Sequence, residues 1–243
     1  MRAIGRYVIF IYKIFTNREK FKVYWQLFID ECMLIGIDSL TIVVITSTFI
    51  GAVSAVQTTY NLVSPLIPKY IIGTVVRDMT LLELAPTVTA IVFAGKVGSN
   101  IAGQLGTMRI TEQVDAIEVM GINSASYLVM PKIFASITMY PILVVLAGFL
   151  SILGGYVAGT FLELYTPAEY IQGIREGFKT FSITFALIKS FTFAFLISTI
   201  SAYKGYYTAG GALEVGIAST QAVTNSCIAI LVADYLLAQL FLG

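Results

Sequence analysis

The stretch IFASITMYPILVVLAGFLSILGGYVAGTFL, residues 133–162, contains no charged side chain. A helix needs about 20 mostly apolar residues to cross the roughly 30 Å of bilayer hydrocarbon, so this stretch predicts a transmembrane helix. The remainder of the chain has the same character, because 57% of its 243 residues are hydrophobic and only 12% are charged. Soluble domains have about 25% charged residues. The composition therefore excludes a soluble enzyme and favours a membrane protein.

Five apolar runs of this kind predict an all-α integral membrane protein whose single domain covers residues 1–243. The predicted spans are residues 39–63, 84–105, 133–162, 182–203 and 215–242. Three spans contain one charge each, namely Lys96 in the second, Lys189 in the fourth and Asp234 in the fifth. Pro141 is expected to kink the third span.

Residues 1–38 precede the first span, and their beginning is basic and aromatic. On a helix, Ile4, Val8, Ile11 and Phe15 share one face at spacings of four, three and four. Basic and aromatic side chains on an amphipathic helix suit the headgroup plane of a bilayer. We therefore predict an N-terminal interfacial helix, and the alternative is a disordered basic tail.

The distribution of basic residues predicts the orientation, since Lys and Arg are commoner in cytoplasmic segments. With the N-terminus inside, nine basic residues flank the spans on the inner side and four on the outer side. The inner set is Arg2, Arg6, Lys13, Arg18, Lys20, Lys22, Arg109, Lys132 and Lys204, and the outer set is Lys69, Arg77, Arg175 and Lys179. Five spans then place the C-terminus outside.

Small side chains on the spans predict close helix packing, because lipid gives little hydrophobic drive for helix association. The second span has two adjoining stripes of small residues, which predict neighbours on both of its sides. One stripe is Gly95, Ser99 and Gly103, and the other is Ala94, Gly98, Ala102 and Gly106. The third span adds Gly155 and Gly159.

Four ionisable residues lie in the predicted spans or at their mouths, where a charge costs at least about 2.5–3.5 kcal/mol. Lys189 and Asp234 each lie about 12 Å below the outer ends of their spans, at 1.5 Å per residue. We hypothesise an ion pair between them, with snorkelling of Lys189 to the headgroups as the alternative. Lys96 is flanked by glycines and is expected to face the helix bundle. Glu83 is either an acid at a helix start, favoured by the helix dipole, or part of the entry to a cavity.

Residues 107–122, between the second and third spans, predict a short amphipathic helix on the inner side. Thr111 is a suitable N-cap, Glu112 lies in the first turn, and Gly121 is a helix stop. A helix of about ten residues is marginal alone in water. It must therefore rest on its own bundle or in a groove of a cytoplasmic partner. One face carries Ile110, Val114, Ile117 and Gly121, and Asp115 and Glu118 mark the other.

The sequence lacks the residue patterns that most enzymes use for catalysis or for binding a metal. The chain has no histidine, and Cys32 and Cys227 are far apart, so no catalytic or metal site is predicted. Gly95 and Lys96 resemble the end of a phosphate-binding loop, but the motif GxxxxGK needs a glycine at position 90, which is Ala90. The net charge of +1 gives no electrostatic case for binding nucleic acid.

Two stretches combine polar and small residues over a long distance. The first contains ELAP at residues 83–86 and FAGKVGSNIAGQLGTMRITEQVDAIEVMGI at residues 93–122, and the second is GYYTAGGALEVGIASTQAVTNS at residues 205–226. Both resemble the MlaE (YrbE/Ttg2B) family of permeases. The similarity extends over nearly the whole chain. That family supplies the membrane subunit of an ABC transporter that moves phospholipids between the inner and outer membranes of diderm bacteria and so maintains outer-membrane lipid asymmetry.

The resemblance implies a set of partners in the inner membrane. It implies a homodimer, a cytoplasmic ABC ATPase (MlaF-like) beneath it, and a periplasmic hexameric MCE protein (MlaD-like). In some systems a STAS protein (MlaB-like) binds the ATPase. No cofactor is expected on this chain, because ATP would be bound and hydrolysed by the ATPase subunit.

The resemblance also implies roles for particular residues. The segment matching the family's coupling helix would dock on the ATPase through Thr111, Glu112, Gln113, Asp115, Ile117, Glu118 and Met120. Charged positions matching those of the family would lie on the lipid pathway, namely Glu83, Lys96, Lys189 and Asp234. The chain departs from the family where Glu-Leu-Gly-Pro reads Glu-Leu-Ala-Pro and where Lys96 replaces a common arginine.

Two other classes of protein compete with this interpretation. A stand-alone secondary ion or solute transporter could use the same four charges as a relay, but such carriers often have inverted repeats, and none is evident here. An intramembrane hydrolase or transferase would need a nucleophile beside a base, and the sequence has no such pair.

Overall fold

The computed structural model describes residues 2–14, 16, 21–62 and 68–242, and helices dominate this part of the chain. Five helical runs are long and apolar enough to cross a membrane, which confirms the predicted all-α membrane fold. They are called spans 1 to 5 below: Tyr24–Asn61, Tyr70–Ile110, Ser124–Phe161, Thr180–Tyr206 and Ala212–Phe241.

The helical segments are numbered along the chain, with α for α-helices and π for π-helical segments. They are α1 (Arg2–Ile14), α2 (Phe21–Cys32), π1 (Met33–Ile37), α3 (Asp38–Asn61), α4 (Tyr70–Met79), π2 (Thr80–Val88), α5 (Thr89–Phe93), π3 (Ala94–Gly98), α6 (Ser99–Ile110), α7 (Gln113–Val119), α8 (Ser124–Phe161), α9 (Pro167–Arg175), α10 (Thr180–Tyr206) and α11 (Ala212–Leu242).

The first three spans are longer than the apolar runs that predicted them. They begin at Tyr24, Tyr70 and Ser124 instead of 39, 84 and 133, whereas spans 4 and 5 begin at Thr180 and Ala212, close to the predicted 182 and 215. Each of these three predicted starts directly follows a charged residue, Asp38, Glu83 or Lys132. The helices continue through these residues, and Glu83 and Lys132 have charged partners inside the protein. The predicted end of the first span at residue 63 lies outside the described residues.

Two of the three prolines inside the spans, Pro86 and Pro141, differ in their local structure. Pro86 lies within π2, where the wider π-helical turn accommodates a residue that has no backbone N–H to donate. Pro141 lies within α8, which stays α-helical from Ser124 to Phe161. The kink expected at Pro141 therefore does not interrupt the helix, and its angle stays a prediction.

The chain forms two compact units, which are described separately. Unit 1 comprises Met1–Ser39, Ala90–Tyr140 and Phe191–Gly243, and unit 2 comprises Leu40–Thr89 and Pro141–Ser190.

In unit 1, small residues bring α6 close to α10 and α11. A Cβ added at Gly205 would lie 2.5 Å from the Ala102 carbonyl oxygen, and one at Gly106 would lie 3.1 Å from a methyl carbon of Val215. The stripe Ala94, Gly98, Ala102 and Gly106 is buried in this packing. The second stripe is open only at Gly95, which is exposed and where a Cβ would meet nothing within 4 Å. At Gly103 of the same stripe a Cβ would lie 3.4 Å from Ser219 Oγ of α11, so within unit 1 both stripes have a helical neighbour over part of their length.

The N-terminal helix α1 packs on the end of α10 in unit 1. Phe10 is fully buried, and the rings of Tyr7 and Phe10 both contact the Tyr203 ring. The Tyr7 hydroxyl lies 2.7 Å from Thr199 Oγ1. A helix therefore forms as predicted, and aromatic side chains, which bury a large area, form the face that packs on α10. Val8 of the predicted apolar face is 58% exposed, and the position of that face in a bilayer interface stays a prediction. Arg18 and Lys20, which contributed to the charge count, lie outside the described residues.

In unit 2, two pairs of helices touch through their backbones. Glycines at the contacts leave no room for a side chain: a Cβ at Gly51 would overlap the Ser151 carbonyl, and one at Gly154 would overlap the Thr48 carbonyl, so α3 and α8 meet directly. A Cβ at Gly173 would likewise overlap the Tyr70 carbonyl, where α9 meets α4.

Candidate functional sites in the spans and in α7

Glu83 and Lys189 form an ion pair in unit 2. Lys189 Nζ lies 2.7 Å from Glu83 Oε2 and also donates to the Leu82 carbonyl at 2.9 Å. The Lys189 side chain is 0% exposed, whereas that of Glu83 is 53% exposed. A buried ammonium is costly unless it is paired and hydrogen-bonded. The Glu83 carboxylate therefore neutralises the buried charge of Lys189 on α10, and about half of the Glu83 side chain remains exposed to the surroundings.

This pairing differs from the one expected from spacing. Snorkelling of Lys189 to the headgroups is wrong, because its side chain is fully buried. Asp234, the partner expected from sequence, is buried in unit 1, and a pair between Lys189 and Asp234 stays a prediction. Glu83 and Lys189 are 106 residues apart, and no local pattern relates residues at that separation.

Glu83 and Lys96 both lie on π-helical segments of span 2, which are common at functional sites. Because the helix begins at Tyr70, Glu83 in π2 is not an acid at a helix start. Lys96 in π3 is half-buried and donates to the Asp38 carbonyl at the start of α3. Its ammonium thus contacts span 1 within unit 1.

An apolar groove of about 430 Å³ runs along unit 2 between α3 and π2. Its polar members Gln57, Thr58 and Asn61 lie at the end of α3. Leu84, the residue next to Glu83, lies on the π2 side. The full lining is Phe49, Ile50, Val53, Ser54, Gln57, Thr58, Asn61, Met79, Leu84 and Val88. The groove was not predicted from the sequence. The one sequence feature that indicates it is the set of polar residues Gln57, Thr58 and Asn61 at the end of the first apolar run.

The helix predicted between spans 2 and 3 forms, but it is shorter and begins later. α7 is Gln113–Val119, preceded by Glu112 in the left-handed region with φ 59° and followed by Gly121 at φ 80°. Thr111 is not its N-cap, because the Thr111 hydroxyl donates to the Thr107 carbonyl at 2.8 Å and completes α6. Span 2 extends to residue 110, and Thr111 is therefore the C-terminal cap residue of α6.

The structure confirms that α7 rests on its own bundle, and docking of α7 on a partner stays a prediction. Val114 is fully buried and Ile117 is half-buried, so one face packs within unit 1. At the other end Val119 is 88% exposed and Met120 is 67% exposed. Asp115 pairs with Arg109 at 2.5 Å. The remaining predicted docking residues, Thr111, Glu112 and Gln113, are exposed.

Glu118 connects α7 to three other helices of unit 1. Its Oε1 accepts from Ser124 Oγ at 2.7 Å and from the Tyr206 hydroxyl at 2.9 Å, and it lies 3.7 Å from Lys13 Nζ. The hydrogen bond from Ser124 is the main reason that the pKa of the Glu118 carboxyl is lowered, and Tyr206 and Lys13 add to the effect. Glu118 is therefore an anchor of α7 to its own unit.

The attachment of α7 is expected to weaken in acid. The pKa of the Glu118 carboxyl is lower in the folded chain than its ordinary value of 4.5. Such a carboxyl stabilises the folded state at pH values above the unfolded pKa, and this contribution is lost as the pH falls through the folded pKa. Hydrogen exchange of α7, corrected for intrinsic rates, should show constant protection above about pH 4.5 and a loss below it. The Glu118→Gln variant should show weaker, pH-independent protection, and identical profiles for the two proteins would contradict the assignment.

Two basic residues counted as loop charges are buried inside helices. Arg77 donates to the carbonyls of Ile174 and Glu176 at 2.8 and 2.7 Å, at the end of α9. Lys132 in α8 bonds Glu31 and also Gln104 Oε1, the latter at 2.7 Å. Neither residue therefore counts as a loop charge. Because Lys132 belongs to the inner set of basic residues and Arg77 to the outer set, the excess of basic residues on the inner side remains without them.

Taken together, the buried charges, the π-interrupted second span and the short helix between spans belong to a polytopic helical membrane protein. The model of the family described as Permease MlaE matches residues 28–240. The chain belongs to the MlaE permease family, which confirms the interpretation of the two sequence stretches.

Three relatives illustrate the similarity. A probable ABC transporter permease protein of Rickettsia bellii (strain RML369-C) is 38% identical over 240 residues, which are 99% of this chain and 92% of the relative. The chloroplastic protein TRIGALACTOSYLDIACYLGLYCEROL 1 of Arabidopsis thaliana is 32% identical over 91% of this chain and 63% of its own length. The intermembrane phospholipid transport system permease protein MlaE of Haemophilus influenzae is 25% identical over 100% of this chain and 93% of its own.

Proposed function

We propose that this chain is the membrane subunit of an ABC transporter that moves phospholipids between the inner and outer membranes of a diderm bacterium. The name of the Haemophilus influenzae relative supports phospholipids as the cargo, and that of the Rickettsia bellii relative supports an ABC transporter. The observation that carries the proposal is the apolar groove of unit 2 beside the half-exposed carboxylate of Glu83.

The groove has the chemistry that one end of a phospholipid requires. Its volume of about 430 Å³ lies in the range of small-molecule sites, about 300–1,000 Å³. Apolar side chains such as Phe49 and Val53 suit acyl chains, and the amides of Gln57 and Asn61 suit the headgroup region. Glu83, whose chain neighbour Leu84 lines the groove, adds a half-exposed carboxylate that Lys189 holds in place.

The chain needs a separate motor, because its sequence lacks a phosphate-binding loop. A cytoplasmic ABC ATPase would bind ATP and dock on α7, whose Val119 and Met120 offer exposed apolar contacts. Closure of the ATPase would push α7, and Glu118 would pass the movement to Tyr206 of α10. A periplasmic MCE hexamer would receive or deliver lipid, and a STAS protein would bind the ATPase.

A second copy of this chain would complete the permease. Asn100 of α6 and Thr220, Thr224 and Asn225 of α11 are exposed within their spans. Amide side chains in contact with lipid are unfavourable and favour helix association instead. These residues and the open surface at Gly95 support a homodimer. The basic-residue bias supports an inner-membrane protein with its N-terminus cytoplasmic and its C-terminus periplasmic.

Charging the exposed end of α7 is the test of this function. In the double variant Val119→Glu and Met120→Glu, copurification of the ATPase and ATP-dependent phospholipid transfer between vesicles should both fall by about tenfold or more. The reason is that burying an unpaired carboxylate in an apolar contact costs more than about 1.4 kcal/mol. Leu162→Glu, a similar change at an exposed residue of unit 2, is the matched control. Unchanged copurification and transfer would refute docking through α7, and transport by the chain alone on an ion gradient would favour a secondary transporter.

A further inference from the structure

A second cavity, of about 300 Å³, lies in unit 1 where α10 turns into α11. Its lining includes Tyr203, Lys204, Tyr207, Thr208, Glu214 and Gln221. None of them lines the groove of unit 2, and none belongs to α7. The proposed transport path therefore leaves this cavity without a role.

The cavity is lined by one positive and one negative side chain. Lys204 Nζ donates to Gln221 Oε1 at 3.0 Å, which uses one of the three donors of an ammonium. Glu214 Oε2 accepts from the Gly211 N–H at 3.1 Å, which uses one of about four acceptor sites of a carboxylate. Both side chains are thus held at the ends of helices with hydrogen-bonding capacity remaining.

The cavity lies where two membrane-spanning helices end, which is the level expected for the boundary between membrane and water. Span 4 ends at Tyr206 and span 5 begins at Ala212, so Lys204 and Glu214 lie at the ends of two membrane helices. The rings of Tyr203 and Tyr207 pack 5.2 Å apart at the same place, and tyrosines are enriched at this depth of a bilayer. Ligands that reach such a cavity from the membrane are lipid headgroups.

We propose that this cavity binds the headgroup of a zwitterionic phospholipid, with the phosphate at Lys204 and the ammonium at Glu214. The inference rests on the proposed function in taking a phospholipid as the ligand, and it adds the class of headgroup. A lysine and a carboxylate match a phosphate and an ammonium, and the Tyr207 ring face also attracts a cation. An anionic headgroup without an ammonium would satisfy Lys204 and would be repelled by Glu214.

Native mass spectrometry of the full-length chain in detergent tests this site. Short-chain phosphatidylethanolamine and phosphatidylglycerol are added at equal concentration, and the ratio of the two adducts is measured. Wild type should favour phosphatidylethanolamine. Glu214→Gln, which retains an acceptor for the Gly211 N–H, should lower the phosphatidylethanolamine adduct by about tenfold, the size of one charge-assisted hydrogen bond. Lys204→Met should lower both adducts by a similar factor.

Matched variants outside the cavity separate this site from general charge effects. Lys179→Met and Glu163→Gln change exposed residues of unit 2 in the same way and should leave the ratio unchanged. Glu214→Gln is close in shape to wild type, so it keeps the test open if Lys204→Met does not fold. An equal ratio in wild type and Glu214→Gln would overturn the proposal, as would displacement of phosphatidylethanolamine by inorganic phosphate. Failure of ATP-dependent transfer by the wild-type complex would instead refute the proposed function and leave this binding measurement unaffected.

Discussion

Replacing Glu83 by leucine is expected to destabilise the folded chain by about 3 kcal/mol, the lower end of the cost of removing one partner from a buried ion pair, because the carboxylate is half-exposed. The reason is that Lys189 is fully buried and would lose the carboxylate 2.7 Å from its ammonium. Lys189→Met should cost less, because the carboxylate it leaves behind is 53% exposed. The double variant should be more stable than Glu83→Leu alone, since it contains neither charge.

The unfolding free energy in mixed detergent micelles measures this effect, and the four proteins form a double-mutant cycle. Lys179→Met, which removes an exposed lysine, is the control and should match wild type. All variants that lack the pair should also lose phospholipid transfer if the proposed function holds. Additive effects of Glu83→Leu and Lys189→Met would show that the pair contributes nothing to stability.

Adding a single methyl group at Gly51 or Gly154 is expected to have the second largest effect. Alanine is better than glycine in a helix by about 1 kcal/mol, so propensity alone predicts stabilisation. At these positions the new Cβ would overlap a carbonyl of the facing helix, and a backbone cannot move aside as a flexible side chain can. Overpacking of this kind costs about 1–3 kcal/mol, so Gly51→Ala and Gly154→Ala should both destabilise unit 2.

Gly148→Ala on the same helix provides the comparison. A Cβ there would lie 3.7 Å from the Ala85 Cβ, an ordinary van der Waals contact, so this variant should be as stable as wild type or slightly more so. Thermal unfolding of the purified proteins in one detergent distinguishes the positions. Equal melting temperatures for the alanine variants of Gly148, Gly51 and Gly154 would show that α3 and α8 separate at little cost.

The presence of α7 could be predicted from the sequence, but the contacts that its residues make could not. The alternation of apolar and acidic residues after Arg109 indicates a helix, and Gly121 ends it as expected. Thr111 looked like an N-cap because threonine is common there, but α6 extends far enough to use it. Glu118 is predicted to lie on the docking face, which stays a prediction, and the sequence did not show that Ser124 and Tyr206 hold it against unit 1.

The number of membrane helices and the family follow from the chain alone, because a bilayer requires long uncharged helices and the motifs after Phe93 and Gly205 are long and contiguous. Folding in three dimensions decides which charges meet. Lys189 finds Glu83, Lys132 finds Glu31 and Arg77 caps α9, in each case across about a hundred residues or more. Such pairs depend on how helices cross, and crossing depends on points such as Gly51 against Ser151, where two distant pieces of backbone have to fit together.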